Sequence, residues 1–193
     1  MPSCNGLIRC WGNNDPLMRE YHDKEWGVPL HDDNKLYELI VLEGAQAGLS
    51  WSTILKRREN YRRAFDFFDP KIVSAYKEEK VEDLLGNPGI IRNRRKIESA
   101  INNAKKFILI QEEFGSFDTY IWRFVNSKPI INNFKSWEEV KPMTNLSKEI
   151  SKDLKIREFS FMGPTIVYAF MQSIGMVNDH LVSCFRWKQI NQM

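Results

Sequence analysis

Two cysteines and two histidines near the ends of the chain are the first residues whose types and spacing could do chemistry. His180 and Cys184 are four residues apart, which on a helix places both side chains on one face about one turn apart. Cys10 and His22 lie near the other end. Two thiolates and two imidazoles complete a tetrahedral shell, which favours one structural zinc ion over a catalytic zinc with an open position. The spacing is not that of a zinc finger, and a metal here would tie the chain ends together.

A plainer interpretation of the same residues is a chance grouping of a buried cysteine and two histidines. Cys4 is close enough to Cys10 to compete as a ligand. Three cysteines, an odd number, argue against a disulfide framework. His31, next to Asp32 at a predicted helix start, is expected to be a solvent-facing loop residue.

The segment LEGAQAGLSW carries an acid in apolar surroundings. Glu43 is four residues after Leu39 and three after Ile40, so a helix places it on an apolar stripe. A carboxylate on that stripe must be paired, protonated or directed into a pocket. If the helix instead turns this position outward, Glu43 lies in water. Aromatic residues of this region usually belong to a core, but they are also what stacks on an extruded nucleobase. They are Trp11, Tyr21, Trp26 and Trp51.

Residues 84–107 predict two helices joined by a tight turn at Asn87-Pro88-Gly89. The second helix is expected to begin near Arg92 or Asn93. Backbone N–H groups around Gly89 and Ile91, backed by the positive end of that helix, could bind a phosphate.

Basic side chains follow this turn. Residues 92–106 contain six basic residues and one acid, Glu98, and a second basic run follows Trp51 at residues 56–63. Such runs are most often solvated helix faces. Together with the turn, however, they indicate contact with a phosphate backbone, which positions DNA without reading its sequence. The basic residues of the first run are Arg92, Arg94, Arg95, Lys96, Lys105 and Lys106.

The elements that must position these residues are predicted to be helices, so the fold class is all-α. Capping residues and apolar periodicity place helices from residue 16, over 33–47 and 51–65, as a short helix from residue 70, and over 78–85, 93–113, 117–126, 147–156 and 164–174. Asp118 is interpreted as a helix cap. Ile130-Ile131 is the only strand candidate.

Composition fits an ordinary globular protein of 193 residues, with 42% hydrophobic and 27% charged residues. The net charge of +3 is too small to indicate a nucleic-acid partner by itself. No stretch is long and apolar enough for a membrane span, and residues 1–10 do not have the pattern of a signal peptide. We therefore expect a cytoplasmic protein.

Five segments in this order resemble the type I 3-methyladenine DNA glycosylase family, and the similarity extends from about residue 9 to 187. They are RCWGNNDPLMREYHDKEWGVP (9–29), LEGAQAGLSWSTILKRRENYRRAF (42–65), GIIRNRRKI (89–97), FSFMGPTIVYAFMQSIG (159–175) and VNDHLVSC (177–184). The resemblance implies a single helix-hairpin-helix glycosylase domain over 1–193. Its central lobe would span about 55–130, and a zinc-binding lobe would join the chain ends.

The resemblance also implies roles for individual residues. Glu43 would hydrogen-bond the adenine edge, and Gly89 and Ile91 would offer backbone contacts to phosphate. From the basic run, we expect Arg92 and Arg94 to contact the DNA backbone beside them. The zinc ligands would be Cys10, His22, His180 and Cys184. The base pocket would be lined by Trp51, Tyr21 and Trp26, with Trp11 beside them. Met18 stands where some relatives carry tyrosine, which would thin one wall.

These features predict a monomeric, monofunctional hydrolase that removes 3-methyladenine from double-stranded DNA. The catalytic aspartate of the wider superfamily is thought to be absent from this family. Two other interpretations stay open at this point. One is a DNA-binding protein that senses the alkyl lesion without removing it, and the other is a catalytic zinc hydrolase, against which the closed ligand set argues.

Overall fold

The computed structural model describes residues 7–193, so Cys4 lies outside the described residues. Within this range the chain is helical, as predicted. The helices are α1 Pro16–Lys24, α2 Asp33–Gln46, α3 Trp51–Leu55, α4 Arg58–Ala64, α5 Pro70–Ser74, α6 Glu78–Gly86, α7 Arg94–Phe114, α8 Phe117–Trp122, α9 Asn145–Ile156, α10 Pro164–Ser173 and α11 Phe185–Ile190. No helix in this part of the chain is long and apolar enough to cross a membrane.

Helix α2 is the central element of the fold. The Asp32 carboxylate caps its start by accepting a hydrogen bond from the Lys35 N–H. Ten consecutive residues, 36–45, are buried, because α7, α8 and α10 pack around the helix. A carboxylate on this helix is therefore withdrawn from water whichever way it points.

Aromatic side chains of the N-terminal segment form a second, smaller apolar cluster apart from the main core. Tyr21, Trp26 and Leu55 are its buried members, and Trp11 and Trp51 pack against them. Helix α1, which brings Tyr21 there, starts at Asp15-Pro16, where the Asp15 carboxylate accepts from the Leu17 N–H at 2.9 Å. Tyr21, Trp11 and Trp26 therefore lie apart from the main core, whereas Trp51 packs against both clusters.

The structure corrects three details of the predicted elements. The helix expected over 51–65 is broken between Leu55 and Arg58, and the break allows Arg58 Nε to donate to buried Glu38 at 2.5 Å. The strand Ile130–Ile131 is confirmed as β1, but its parallel partner β2, Val177–Asn178, was not predicted. Asp118 is not a cap, because Ser116 caps α8. Asp118 instead accepts from Nδ1 of the exposed His31.

The two ends of the described chain meet in space. The Phe185 N–H donates to the Ile8 carbonyl oxygen at 2.9 Å, and Trp137 Nε1 donates to the Cys10 carbonyl oxygen at 2.9 Å. The first contact joins the segment before α1 to the start of α11, and the second joins it to the short turn at Trp137–Glu139.

Candidate active site and metal centre

A pocket of about 220 Å³ lies between the aromatic cluster and helices α2 and α10. All four predicted pocket aromatics and Glu43 line it. Met18 also lines it, at the position where some relatives were expected to carry a tyrosine. The lining residues are Trp11, Met18, Tyr21, Trp26, Glu43, Gln46, Trp51, Ala169 and Gln172. This volume is below the usual range for drug-sized ligands and suits a single planar ring system.

Glu43 is the buried acid of this pocket, with 3% of its surface exposed. Its Oε2 atom is buried without a hydrogen-bond partner among residues 7–193. Burial raises the pKa of Glu43 to about 8, against a smaller opposing effect of the Ser173 hydroxyl. The free protein thus holds an unsatisfied acid, and such a group invites a ligand that supplies a hydrogen bond or a positive charge.

The aromatic rings around Glu43 are tilted or perpendicular to one another and do not stack. The rings of Tyr21 and Trp51 have centroids 5.4 Å apart and are inclined by 49°. Trp11 meets Trp26 edge to face at 5.2 Å. Trp51 Nε1 is a second buried polar atom without a partner among the described residues. Aromatic rings, the unpaired Trp51 Nε1 and the unpaired Glu43 Oε2 therefore line one pocket.

Sequence reasoning missed three lining residues. Gln46 could have been found, because it follows Glu43 by three residues on the same helix. Ala169 and Gln172 could not, because α10 reaches the pocket only through tertiary packing against α2.

The four predicted metal ligands come together, although Cys10 and His180 are 170 residues apart in the sequence and Cys184 lies still further along the chain. Both cysteine Sγ atoms lie 3.4 Å from His22 Nε2 and 3.5 Å from His180 Nδ1. A tetrahedral zinc ion with Zn–S of about 2.3 Å and Zn–N of about 2.0–2.1 Å separates its S and N ligands by about 3.5 Å. His180 and Cys184 do not lie on a helix, because both precede α11, so the one-turn spacing that a helix would give does not apply to them.

The second ring nitrogen of each histidine is already engaged. His180 Nε2 donates to the Trp26 carbonyl oxygen at 3.0 Å, and His22 Nδ1 donates to Asp23 Oδ1 at 2.8 Å. Arg9 in turn donates to both oxygens of Asp23. Burial raises the pKa of Asp23, but the hydrogen bonds from Arg9 and His22 outweigh it, so this pKa lies below its usual value. These contacts fix the tautomer that directs His22 Nε2 and His180 Nδ1 toward the thiols.

The predicted DNA-binding turn is present between α6 and α7, but its amides are occupied. The Gly89 N–H donates to Asn87 Oδ1 at 2.8 Å, and the Ile91 N–H donates to Tyr61 Oη at 3.1 Å. A Cβ at Gly89 would lie 3.0 Å from the side chain of Asn60. A larger residue at this position would therefore require the Asn60 or Asn87 side chain to shift by a few tenths of an ångström.

The two arginines predicted beside this turn differ in their surroundings. Arg94 forms ion pairs with Glu78, Glu82 and Glu98. Arg92 is exposed and has no ion pair within residues 7–193. The positive charge available to a ligand is therefore greater at Arg92 than at Arg94.

Comparison with known proteins assigns this architecture to a family. The sequence model of the methyladenine glycosylase family matches residues 11–187. The chain is 49% identical over 179 residues to DNA-3-methyladenine glycosylase 1 of Escherichia coli, covering 92% of this chain and 96% of that one. It is 47% identical over 177 residues to DNA-3-methyladenine glycosylase of Haemophilus influenzae, with coverages of 91% and 96%.

Solved structures agree with the sequence comparison. A crystal structure of 3-methyladenine DNA glycosylase I superposes with a TM-score of 0.90 at 49% identity, covering 92% of this chain and 98% of that one. The Staphylococcus aureus enzyme, studied for its recognition of 3-methyladenine, superposes with a TM-score of 0.89 at 36% identity, with coverages of 91% and 94%. The predicted glycosylase identity is confirmed: the chain belongs to the methyladenine glycosylase family.

Proposed function

We propose that this protein extrudes 3-methyladenine from double-stranded DNA and hydrolyses its N-glycosyl bond, acting as a monomeric, monofunctional enzyme in the bacterial cytoplasm. The observation that carries the proposal is Glu43, a buried acid with an unpartnered Oε2 in a pocket walled by aromatic rings. Relatives named for this activity, at 49% and 47% identity, support the choice of lesion.

The proposed role of Glu43 follows from the charge of the lesion. Methylation at N3 makes the adenine ring cationic, and the ionised Glu43 carboxylate both attracts that charge and accepts a hydrogen bond from the exocyclic amine. Stacking against Trp51 and Tyr21 adds cation–π attraction of about 0.5–2 kcal/mol, depending on desolvation. Neutral adenine has neither the attraction to the Glu43 carboxylate nor the cation–π attraction to the rings, so the pocket prefers the damaged base.

Bond cleavage then needs little acid catalysis. The electrons of the C1′–N9 bond pass to the cationic ring, and the base departs neutral. The oxygen of a water molecule bonds to C1′, and its proton passes to solvent. No lysine lines the pocket among the described residues, which supports hydrolysis over Schiff-base chemistry.

The Cys10, His22, His180 and Cys184 cluster suits one structural zinc ion. Its two thiols, two correctly oriented imidazole nitrogens and S–N separations near 3.5 Å support this choice. A bound zinc would cross-link the two chain ends and leave no coordination position for a reacting water.

For the DNA backbone we propose contact through the turn between α6 and α7, with Arg92 as its free cation. The amides of Gly89 and Ile91 would bind phosphate by exchanging their present acceptors, Asn87 and Tyr61. Arg94 would contribute less, because three carboxylates already surround it.

The test is chromatographic release of free base from methylated duplex DNA by wild type, Glu43→Gln and the control Glu112→Gln. Glu112 is exposed on α7, outside the pocket. We expect release of 3-methyladenine by wild type and the control, and a loss of at least 100-fold in Glu43→Gln. A folded wild type that binds methylated DNA but releases nothing would instead identify a lesion-binding protein. Borohydride trapping of a protein–DNA adduct would contradict the monofunctional mechanism.

A further inference from the structure

Gln172 lines the pocket, and its side-chain amide is fixed by a hydrogen bond to a buried carboxylate outside the pocket lining. Its Nε2 donates to Asp179 Oδ2 at 2.7 Å. Asp179 is fully buried and accepts two more hydrogen bonds, from Asn132 Nδ2 at 2.6 Å and from the Tyr168 hydroxyl at 2.6 Å. A carboxylate with three donors is well satisfied, so this network is a rigid support for the Gln172 amide.

The network settles which end of the amide is free. Asp179 Oδ2 accepts hydrogen bonds from both Gln172 Nε2 and the Tyr168 hydroxyl, so the NH2 group is the end of the Gln172 amide that faces Asp179. The O and N atoms of a glutamine are assigned by such partners, and here the partner leaves one choice. The oxygen Oε1 is therefore the atom of this amide left for a ligand in the pocket.

We infer that Gln172, locked by Asp179, is a specificity-determining residue that accepts a hydrogen bond from the exocyclic amine of the lesion and thereby rejects guanine-type lesions. This inference rests on the proposed function. The amine of adenine offers two N–H donors at the edge where guanine carries the O6 acceptor. Glu43 and Gln172 can each accept one donor from adenine, whereas O6 of guanine would face the Gln172 oxygen.

Glu43 alone distinguishes poorly between adenine and guanine lesions at the edge that carries the adenine amine or the guanine O6. Because its pKa is about 8, Glu43 exists in both protonation states near neutral pH, and the protonated acid can donate to O6 of guanine. The Gln172 amide has no such freedom, since rotation would place its oxygen against the Asp179 carboxylate. A fixed acceptor therefore supplies the discrimination that a titrating acid does not.

The orientation of the amide also suits a cationic ring. The Asp179 carboxylate lies at the N–H end of the amide dipole and aligns it, so the negative end points away from Asp179. A positive base gains from this arrangement, while an unmethylated base gains less. The same contact thus favours the amino edge and the charge of 3-methyladenine.

The experiment measures 3-methyladenine and 3-methylguanine released from one sample of methylated duplex DNA by wild type, Gln172→Leu, Asp179→Asn and the control Glu112→Gln. The ratio of the two specificity constants does not depend on the fraction of active enzyme, so partial misfolding of a variant does not affect it. We expect the preference for 3-methyladenine to fall about tenfold in Gln172→Leu, because one selective acceptor is lost. In Asp179→Asn the new side chain can donate to Gln172, which frees the amide to rotate, and the preference should fall at least as far.

Glu112→Gln is the control, because Glu112 is exposed on α7 and belongs neither to the pocket nor to the Asp179 network. Its release ratio should equal that of wild type. A wild-type ratio in both Gln172→Leu and Asp179→Asn would overturn the inference while leaving the proposed function intact. A wild type that releases neither base would overturn the proposed function, and the inference with it.

Discussion

The Lys96 ammonium group donates a hydrogen bond to the Ala45 carbonyl oxygen at 2.7 Å. A second bond of 2.7 Å reaches the Ala47 carbonyl oxygen. Lys96 lies in the first turn of α7, beside the proposed DNA-binding turn, and Ala45 lies in the last turn of α2, which carries Glu43. The cation therefore satisfies the carboxyl end of the pocket helix and joins that helix to the hairpin.

Replacing Lys96 with methionine should lower the free energy of unfolding by about 1–2 kcal/mol, because two carbonyl groups lose a charged donor. The segment that connects Glu43 to Trp51 should also loosen, and base release from DNA should slow. Denaturant unfolding and the release assay measure the two effects. Lys105→Met, at an exposed position on the same helix, should stay within about 0.5 kcal/mol of wild type. Equal stability of the two variants would contradict the role given to Lys96.

The pH dependence of activity should report Glu43. In the free protein burial raises its pKa to about 8, so the neutral acid predominates at pH 7, whereas the cationic lesion requires the carboxylate. The ratio kcat/KM, which reflects ionisations of the free enzyme, should rise with pH up to about 8 and then level off. Glu43→Gln should lose this acid limb along with most of its activity. A wild-type profile that is flat between pH 6 and 8 would show that Glu43 is already ionised.

The same ionisation should affect stability with the opposite sign. The folded-state pKa of about 8 lies above the ordinary value of 4.5, so the folded protein binds the extra proton between these values. The free energy of unfolding contributed by Glu43 is therefore present at low pH and declines as the pH rises from about 4.5 to 8. Across this pH window, the free energies of unfolding of wild type and Glu43→Gln should change differently with pH, by a few kcal/mol at most. Parallel curves would argue against a raised pKa.

Local patterns were enough to predict part of this site. Glu43 stood out as an acid spaced with Leu39 and Ile40, but this spacing left open whether it faces water, and its burial follows because residues 36–45 are buried on every side of the helix. Asp15-Pro16 fixed the start of α1, which carries Tyr21. The four metal ligands were found from their residue types and the family resemblance, because chemistry restricts which side chains can share an ion.

Other parts of the site depend on tertiary packing that no local pattern encodes. Gln172 and Asp179 become functional candidates only when α10 packs against α2. The strand Val177–Asn178 has two residues and exists only because β1 pairs with it. The occupied amide of Ile91 likewise depends on Tyr61, which is thirty residues away in sequence.

Metal affinity should depend on the contact between His22 and Asp23. Asp23→Asn keeps the size of the side chain but weakens its hydrogen bond to His22 Nδ1. Zinc affinity should therefore fall about 10- to 100-fold. Competition with a chromophoric chelator measures this directly. Glu20→Gln, at an exposed position on the same helix, is the control and should bind zinc like wild type. Equal affinities in the two variants would mean that the Asp23 contact does not support the ligand.

DNA binding should distinguish the two arginines of the hairpin. Each phosphate contact through a free cation contributes about 0.9 to the slope of log K against log salt concentration. Arg92→Ala should therefore lower that slope by about one. Arg94→Ala should change it much less, because Glu78, Glu82 and Glu98 already balance this charge. Titrations of each variant with duplex DNA at several salt concentrations give the slopes. A larger change in Arg94→Ala than in Arg92→Ala would mean that the ion pairs of Arg94 break when DNA binds. Arg94 would then be the principal phosphate contact.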